Sequence, residues 1–82
     1  MMSERLPDVE IQIDRPAAMA LRDLRWVRHV SMEQCADTMQ IGLQEFLAKE
    51  RGRCAFTAAE FAALATLLDL DVDGLMGQIG LA

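Results

Sequence analysis

Signals that begin short helices recur along this chain and constrain its fold more than any other feature of the sequence. Ser31 is followed three residues later by Gln34, and Thr57 is followed three residues later by Glu60. In this capping-box pattern the hydroxyl accepts a hydrogen bond from the backbone of the third helical residue, whose own side chain binds back to the cap. Both patterns stand directly before residues that favour helix, so each predicts a helix N-terminus.

Proline, glycine and aspartate set the remaining helix ends. Pro16 suits a first helical turn, because its missing N–H has no partner there. Gly42 predicts a break and a cap for a third helix, and Gly52 predicts the end of that helix. A last short helix is capped by Asp71 or Asp73. The predicted helices cover residues 17–30, 32–39, 43–51, 58–70 and the apolar segment that follows its aspartate cap.

A short N-terminal segment has a different periodicity. Val9, Ile11 and Ile13 alternate with polar residues, which is typical of a half-buried strand. One strand alone is not stable, so it pairs either with its own copy across a dimer axis or with a neighbouring chain in a longer assembly. An extended arm that lies on the helices fits the pattern equally well. We therefore divide the chain into residues 1–15, a strand or arm, and residues 16–82, an all-α domain of five helices.

The composition excludes several classes of protein. With 82 residues, 52% of them apolar and 26% charged, the chain fits one folded domain and is too apolar to be disordered. It has no apolar run of membrane-spanning length, and its first residues are charged, so we expect a cytoplasmic protein with no membrane segment. Cys35 and Cys54 lack the spacing of a metal or redox motif, so we predict two reduced thiols, no metal and no cofactor.

An enzymatic function has little support in the sequence. His29 is the only histidine, there is no tyrosine, and there is no glycine-rich phosphate loop. We therefore predict that the chain is not an enzyme and that His29 is a surface residue or a favourable charge at the end of the first helix. Trp26 and Met39 are interpreted as core or edge packing.

Charge is distributed unevenly along the chain. The formal net charge of −5 argues against indiscriminate binding to nucleic acid, which depends on neutralising phosphates. Positive charge is concentrated in residues 15–30 and 49–53, whereas residues 54–82 contain no lysine or arginine. We expect this last segment to form an acidic end of the molecule that stays away from DNA.

Residues in four of the predicted helices form a pattern found in a known family. They are the run Leu21, Arg22, Asp23, Leu24 and Arg25, then Ser31, Cys35 and Ala36, then Ile41 in the turn, then Phe46, Glu50 and Gly52, and finally Phe61, Leu64, Ala65, Leu68 and Leu70. Over residues 21–76 the chain resembles the phage repressor and Cro family of helix-turn-helix proteins, the XRE type. The resemblance implies a five-helix, lambda-repressor-like DNA-binding domain.

The resemblance also implies a structural ion pair and a close helix contact. In the family, an arginine late in the first helix reaches the glutamate that closes the third, and the matching residues here are Arg25 and Glu50. A bidentate pair of this kind fixes the angle between helices more than it adds net stability. Ala36 allows the second and third helices to approach closely. Gln40 replaces the glycine usual in the turn, where φ is positive.

Finally, the resemblance assigns the residues that contact DNA. In the family, the third helix lies in the major groove, where its early polar residues read bases while residues around it bind phosphates. Gln44 is the best match for adenine, Leu43 is the match for a thymine methyl group, and Glu45 either accepts from cytosine or only serves the helix N-terminus. The predicted DNA-binding residues are Leu43, Gln44, Glu45, Leu47, Ala48, Arg51, Arg53 and Gln34, with Lys49, Arg28 and Arg22 as further candidates for phosphate contacts.

Two functions remain open at this point. The first is a sequence-specific regulator of transcription that binds double-stranded DNA as a homodimer; its dimer surface is Leu75, Met76 and Ile79, unless this tail only closes the monomer core. The second is an adaptor or antitoxin-like module that keeps the fold, has lost base reading and binds a protein partner. Net acidity favours the second function, and so does an apolar strip on the DNA-facing side. This strip consists of Met32, Leu43, Leu47 and Ala48.

Overall fold

The computed structural model describes residues 10–81, which form five α-helices and two short strands. The elements in chain order are β1 Glu10–Ile11, α1 Arg15–Val27, α2 Met32–Met39, α3 Leu43–Glu50, β2 Phe56–Thr57, α4 Ala58–Leu67 and α5 Val72–Ile79. The predicted all-α, five-helix fold with a short N-terminal strand is therefore confirmed. Val9 and the rest of the predicted arm before residue 10, and residue 82, lie outside the described residues.

Helix α1 is bounded by an aspartate cap and by a left-handed residue. The Asp14 carboxylate accepts a hydrogen bond from Ala17 N at 2.9 Å and so caps the helix start. The helix ends at Val27, three residues before the predicted Val30, because His29 adopts a left-handed conformation with φ of 58°. A glycine would have signalled this end in the sequence. Histidine gives no such signal, so the predicted helix is too long.

The two capping boxes form as predicted. Ser31 Oγ accepts a hydrogen bond from Gln34 N at 3.0 Å, and Ser31 N donates to Gln34 Oε1 at 2.8 Å. Thr57 and Glu60 make the same reciprocal contacts, at 3.0 and 2.9 Å. These contacts satisfy backbone donors that a helix N-terminus otherwise leaves unpaired. They fix the starts of α2 and α4.

Other helix ends are decided by local backbone conformation. Helix α3 ends one residue earlier than predicted, and α4 ends at Leu67, three residues earlier than predicted, since Asp69 adopts φ of 64°. Of the two possible caps of α5, the structure uses Asp71 and not Asp73. Gly74 N donates to the Asp71 carboxylate at 2.6 Å.

The N-terminal strand pairs within its own chain. Strand β1 lies antiparallel to β2, with Glu10 opposite Thr57 and Ile11 opposite Phe56. The predicted pairing with a copy or a neighbouring chain is therefore wrong, and so is an unpaired arm. The partner β2 has only two residues, too few to show an alternating pattern in the sequence. The predicted period of two does hold, because Ile11 and Ile13 are both buried.

Gly52 is required by a close backbone approach. It adopts φ of 79°, and a Cβ at this position would lie 2.7 Å from the carbonyl oxygen of Ile13. Any larger residue would both strain the backbone and push the N-terminal segment away. The chain that leaves α3 is thus packed directly against the segment between β1 and α1.

The hydrophobic core lies where α2, α3 and α4 meet. Phe46, Phe56 and Phe61 are fully buried, and the rings of Phe56 and Phe61 meet edge to face with their centroids 5.6 Å apart. Helices α1 and α5 pack on each other and add Leu21 and Leu75 to the same core. Within residues 10–81, no helix combines the length and the apolar character needed to cross a membrane.

Candidate nucleic-acid interface

Helices α2 and α3 are separate helices joined by a tight turn. Gln40 adopts the left-handed conformation with φ of 60° and ψ of 41°, and Ile41 N donates to the carbonyl of Ala36 at 3.0 Å. Gly42 then caps α3 with an extended backbone. Gln40 therefore keeps the positive φ that the resemblance implies for this position, although a residue with a Cβ has a cost there of about 1 kcal/mol.

Small and apolar side chains hold the two helices together. Ala36 is 5% exposed, and Met39 and Phe46 are also buried, so α2 and α3 approach over a small residue and share the core. Because packed interiors resist changes of volume, this contact fixes the angle at which α3 leaves the turn. The position of α3 is thus set by the core and not by solvent-exposed contacts.

An ion pair behind α3 ties it to α1. Arg25 Nε donates to Glu50 Oε2 at 2.8 Å, and Arg25 Nη2 lies 3.3 Å from Glu50 Oε1. The third nitrogen, Nη1, donates to the Val30 carbonyl at 3.2 Å. Arg25 and Glu50 are only 9% and 5% exposed. One guanidinium therefore joins α1, the loop before α2 and the end of α3, and the structure brings together the two residues that the resemblance matched.

A second buried charge ties α3 to α4, and the sequence interpretation missed it. Lys49, predicted as a phosphate ligand, is 6% exposed and binds the Glu60 carboxylate, with Glu45 Oε2 at 3.5 Å. The same Glu60 oxygen accepts from Thr57 N at 2.9 Å. Lys49 is therefore not available to phosphates. Its spacing of three residues from the buried Phe46 places it on the inner side of α3, and that spacing was a usable signal.

The contacts of this pair shift both pKa values. Burial opposes the charge on Lys49, but its hydrogen bonds and ion pairs with Glu60 and Glu45 outweigh burial and raise the pKa of Lys49. Burial likewise opposes the charge on Glu60, but Lys49 and the backbone N–H of Thr57 outweigh it and lower the pKa of Glu60. Both groups are therefore held in their charged forms around neutral pH.

The outward side of α3 carries the predicted base-reading residues. Gln44 and Glu45 are exposed, while Leu43, Leu47 and Ala48 are half-buried. Glu45 forms an ion pair with Lys49 on the same helix, which favours a structural role for Glu45 over contact with cytosine. Gln44 is thus the exposed residue at the start of α3 that offers both a free donor and a free acceptor.

Positively charged residues stand at the far end of α3. Arg51 and Arg53 follow the helix directly and are exposed. Arg28, another predicted phosphate ligand, donates from Nη1 to the Leu68 carbonyl at 2.6 Å and is partly engaged in the fold. Gln34 is exposed at the start of α2, but its side-chain oxygen is used in the capping box. Arg51 and Arg53 are therefore the cations best placed beside α3.

The residues predicted as a dimer surface on α5 lie mostly inside their own chain. Leu75 is 0% exposed and Ile79 is 3% exposed, so both lie in the core of their own chain, and Met76 is half-buried. Their apolar side chains close the monomer core, which is the alternative that the sequence left open. Contacts between copies through Leu75 and Ile79 would require the core to open.

The outer side of α1 exposes large apolar residues instead. Met19, Trp26 and Val27 are 60%, 79% and 67% exposed. The prediction that Trp26 packs in or beside the core is therefore wrong. A groove of about 850 Å³ runs between α1 and α3; among its lining residues are Arg15, Met19, Arg22, Trp26, Leu47 and Arg51.

Comparison with known proteins identifies the fold. No protein-family model matches the chain, and no curated protein matches it. Two crystal structures of the clp gene regulator ClgR from Corynebacterium glutamicum are similar. One has a TM-score of 0.71 with 20% sequence identity over 80% of this chain and 70% of that chain. The other has a TM-score of 0.70 with 18% identity over 93% of this chain and 95% of that chain. The chain has the fold of this regulator.

Proposed function

We propose that this chain is a DNA-binding regulator of transcription, of the phage repressor and Cro type, whose helix α3 enters the major groove. The observation that carries the proposal is that α3 is fixed from behind by two buried ion pairs while its other side presents Gln44 to solvent. A helix that reads bases must be held rigidly, because misplacement would cost its hydrogen bonds. Similarity in fold to a clp gene regulator supports this assignment.

The exposed side chains suggest a division of roles. Gln44 donates to and accepts from an adenine edge, and Leu43 contacts a thymine methyl group. Arg51 and Arg53 bind phosphates on either side of the groove, and Gln34 approaches a phosphate through its amide nitrogen. Loss of a base contact relaxes the preference at one position, whereas loss of a phosphate contact weakens binding to all sequences.

The charge distribution predicts weak binding outside the specific site. The net charge is −5, and Lys49 is occupied within the fold. Few phosphates are neutralised, so general affinity for duplex DNA is low and falls with added salt. Specific binding therefore depends on base contacts and on a second subunit that doubles the contact surface. We propose that the regulator acts as a homodimer in the cytoplasm.

Fluorescence anisotropy with a labelled pool of mixed duplexes tests the proposal. We expect binding at low salt that weakens as salt rises, and Arg53→Ala should reduce affinity for the whole pool. Gln78→Ala, which changes an exposed glutamine on α5, is the matched control and should bind as wild type does. Absence of binding even at low salt would exclude a DNA-binding function.

One observation favours a second function. Glu33 and Asp37 are exposed on α2, and Leu43 and Leu47 are half-buried on α3, which packs against α2. Carboxylates repel phosphates, and a mixed acidic and apolar surface fits a protein partner such as that of an adaptor or antitoxin-like module. If the anisotropy titration shows no DNA binding while the fold is intact, this second function becomes the better assignment.

A further inference from the structure

The outer side of α1 exposes large apolar side chains that no other residue within 10–81 covers. Met19, Trp26 and Val27 are the large apolar residues that are exposed among residues 10–81. They lie opposite Ala17 and Leu21, which are 1% and 0% exposed and pack in the core. Large apolar side chains exposed on one side of a helix often mark a contact with another molecule.

The order of residues on this surface identifies the occupant. Along α1 the surface presents Met19, then Arg22 and Asp23, and then Trp26. The order has opposite charges at the centre and one large apolar residue on each side. If the same helix is laid against it in the reverse direction, each charge meets its opposite and each Met19 meets a Trp26.

We propose that a second copy of this chain docks on α1 with its own α1 antiparallel, about a two-fold axis that passes between Arg22 and Asp23. Such an interface uses the same patch twice, as in most homodimers. Arg22 pairs with Asp23 of the partner subunit, and Met19 packs on Trp26 of the partner subunit, where sulfur and aromatic ring attract each other.

Charge at the ends of the helix agrees with the same arrangement. The antiparallel copy places Arg15 near the C-terminal end of α1 of the partner subunit, where backbone carbonyls carry partial negative charge. A partner of uniform charge would meet either Arg22 or Asp23 unfavourably, because these neighbours have opposite signs. A second copy satisfies both. This dimer would supply the second subunit that the proposed DNA binding requires. Only its biological role, and not its formation, rests on the proposed function.

Sedimentation velocity without DNA tests the dimer directly. We expect wild-type protein to dimerise in a concentration-dependent way and Trp26→Ala to weaken the dimer about 100-fold, because each interface contains two Trp26 side chains. Thr66→Ala, at an exposed position on α4, is the control and should dimerise normally. Circular dichroism should show the same fold in all three proteins. The proposal would be overturned if wild-type protein remained monomeric at about 100 μM, or if Trp26→Ala dimerised with the wild-type affinity.

Charge reversal tests the antiparallel register. Arg22→Glu and Asp23→Arg alone should each weaken the dimer roughly 10-fold, because each places like charges opposite one another. The double variant restores opposite charges and should recover the wild-type affinity. Failure of the double variant to recover would show that these residues do not face each other across an axis.

Disulfide trapping gives an independent readout. In a Cys54→Ser background, chains with Met19→Cys and chains with Trp26→Cys should cross-link when they are mixed and oxidised, and neither should cross-link alone. Cross-linking of Met19→Cys chains to themselves would contradict the register. None of these measurements uses DNA, so loss of DNA binding with an intact dimer would refute the proposed function and leave this inference standing.

Discussion

Helices α3 and α1 place their side chains in opposite ways. Helix α3 buries a lysine and a glutamate, Lys49 and Glu50, whereas α1 exposes Met19, Trp26 and Val27. In α3, each buried charge has an ion-pair partner on another helix, so burial is tolerated. In α1, one side packs in the core, and the large apolar residues on its outer side have no cover from the rest of residues 10–81. Partners, and not residue type alone, therefore decide which side chains of these two helices are buried.

Leaving the buried guanidinium of Arg25 unpaired should have the largest destabilising effect on the fold. Glu50→Ala leaves Arg25 buried without its carboxylate and should reduce the free energy of unfolding by roughly 3–5 kcal/mol in urea denaturation. The double variant Arg25→Met with Glu50→Leu should recover most of the loss, because both charges are removed together. A loss below about 1 kcal/mol for Glu50→Ala would mean that the pair is solvated in solution.

The next largest loss of stability is expected at a buried apolar residue of α5, in contrast to the exposed apolar residues of α1. Leu75→Ala removes a fully buried side chain of α5 and should cost about 3 kcal/mol of unfolding free energy. Met76→Ala, at the neighbouring half-buried position, is the control and should cost less. If Leu75→Ala instead dissociated a dimer and left the fold equally stable, the dimer surface would belong to α5.

The Lys49 and Glu60 pair predicts how stability depends on pH. Glu60 has a lowered pKa, so its contribution is present at neutral pH and is lost as the pH falls through that lowered value. Lys49 has a raised pKa, so its contribution is lost as the pH rises through that raised value. Glu60→Gln keeps the capping box and should remove about 2 kcal/mol at pH 7.

Thermal melts of Glu60→Gln and wild type across the pH range are the measurement for this pair. The two proteins should converge in acid, where the wild-type carboxylate is protonated. A constant difference between them from neutral to strongly acidic pH would show that the ion pair contributes nothing.

The smallest change in stability is expected at Trp26, the most exposed of the three large apolar residues on α1. Trp26→Ala should alter the unfolding free energy of the dilute monomer by less than about 0.5 kcal/mol, because the ring touches little of its own chain. Urea denaturation at low protein concentration measures it, with Phe61→Ala as the buried aromatic counterpart. A loss of several kcal/mol for Trp26→Ala would place the ring in the core, as the sequence first indicated.

Local chemistry made much of the fold predictable. The start of α2 follows from the capping box of Ser31 and Gln34, and the break before α3 follows from Gly42. These signals act over three or four residues and do not depend on the rest of the chain. Where the signal was weak, as at His29, the predicted end of the helix differs from the observed one.

Features that depend on distant residues could not be read from local patterns. Strand β2 exists because β1 lies beside it, and Lys49 is buried because Glu60 begins the next helix at the right place. The exposure of Trp26 was not predicted for the same reason, since residue type suggested burial but none of the five described helices covers that side of α1. The resemblance predicted which residues form the candidate interface. Only the structure showed that Lys49 is engaged in the fold whereas Arg51 and Arg53 are exposed.

Selection of bound sequences from a random duplex pool would show whether α3 reads base edges. If α3 reads the major groove, wild-type protein should enrich one sequence, and Gln44→Ala should lose preference at one base position by about 1 to 3 kcal/mol while keeping the others. Enrichment of no sequence, or an identical enriched sequence for wild type and Gln44→Ala, would contradict base reading by this helix.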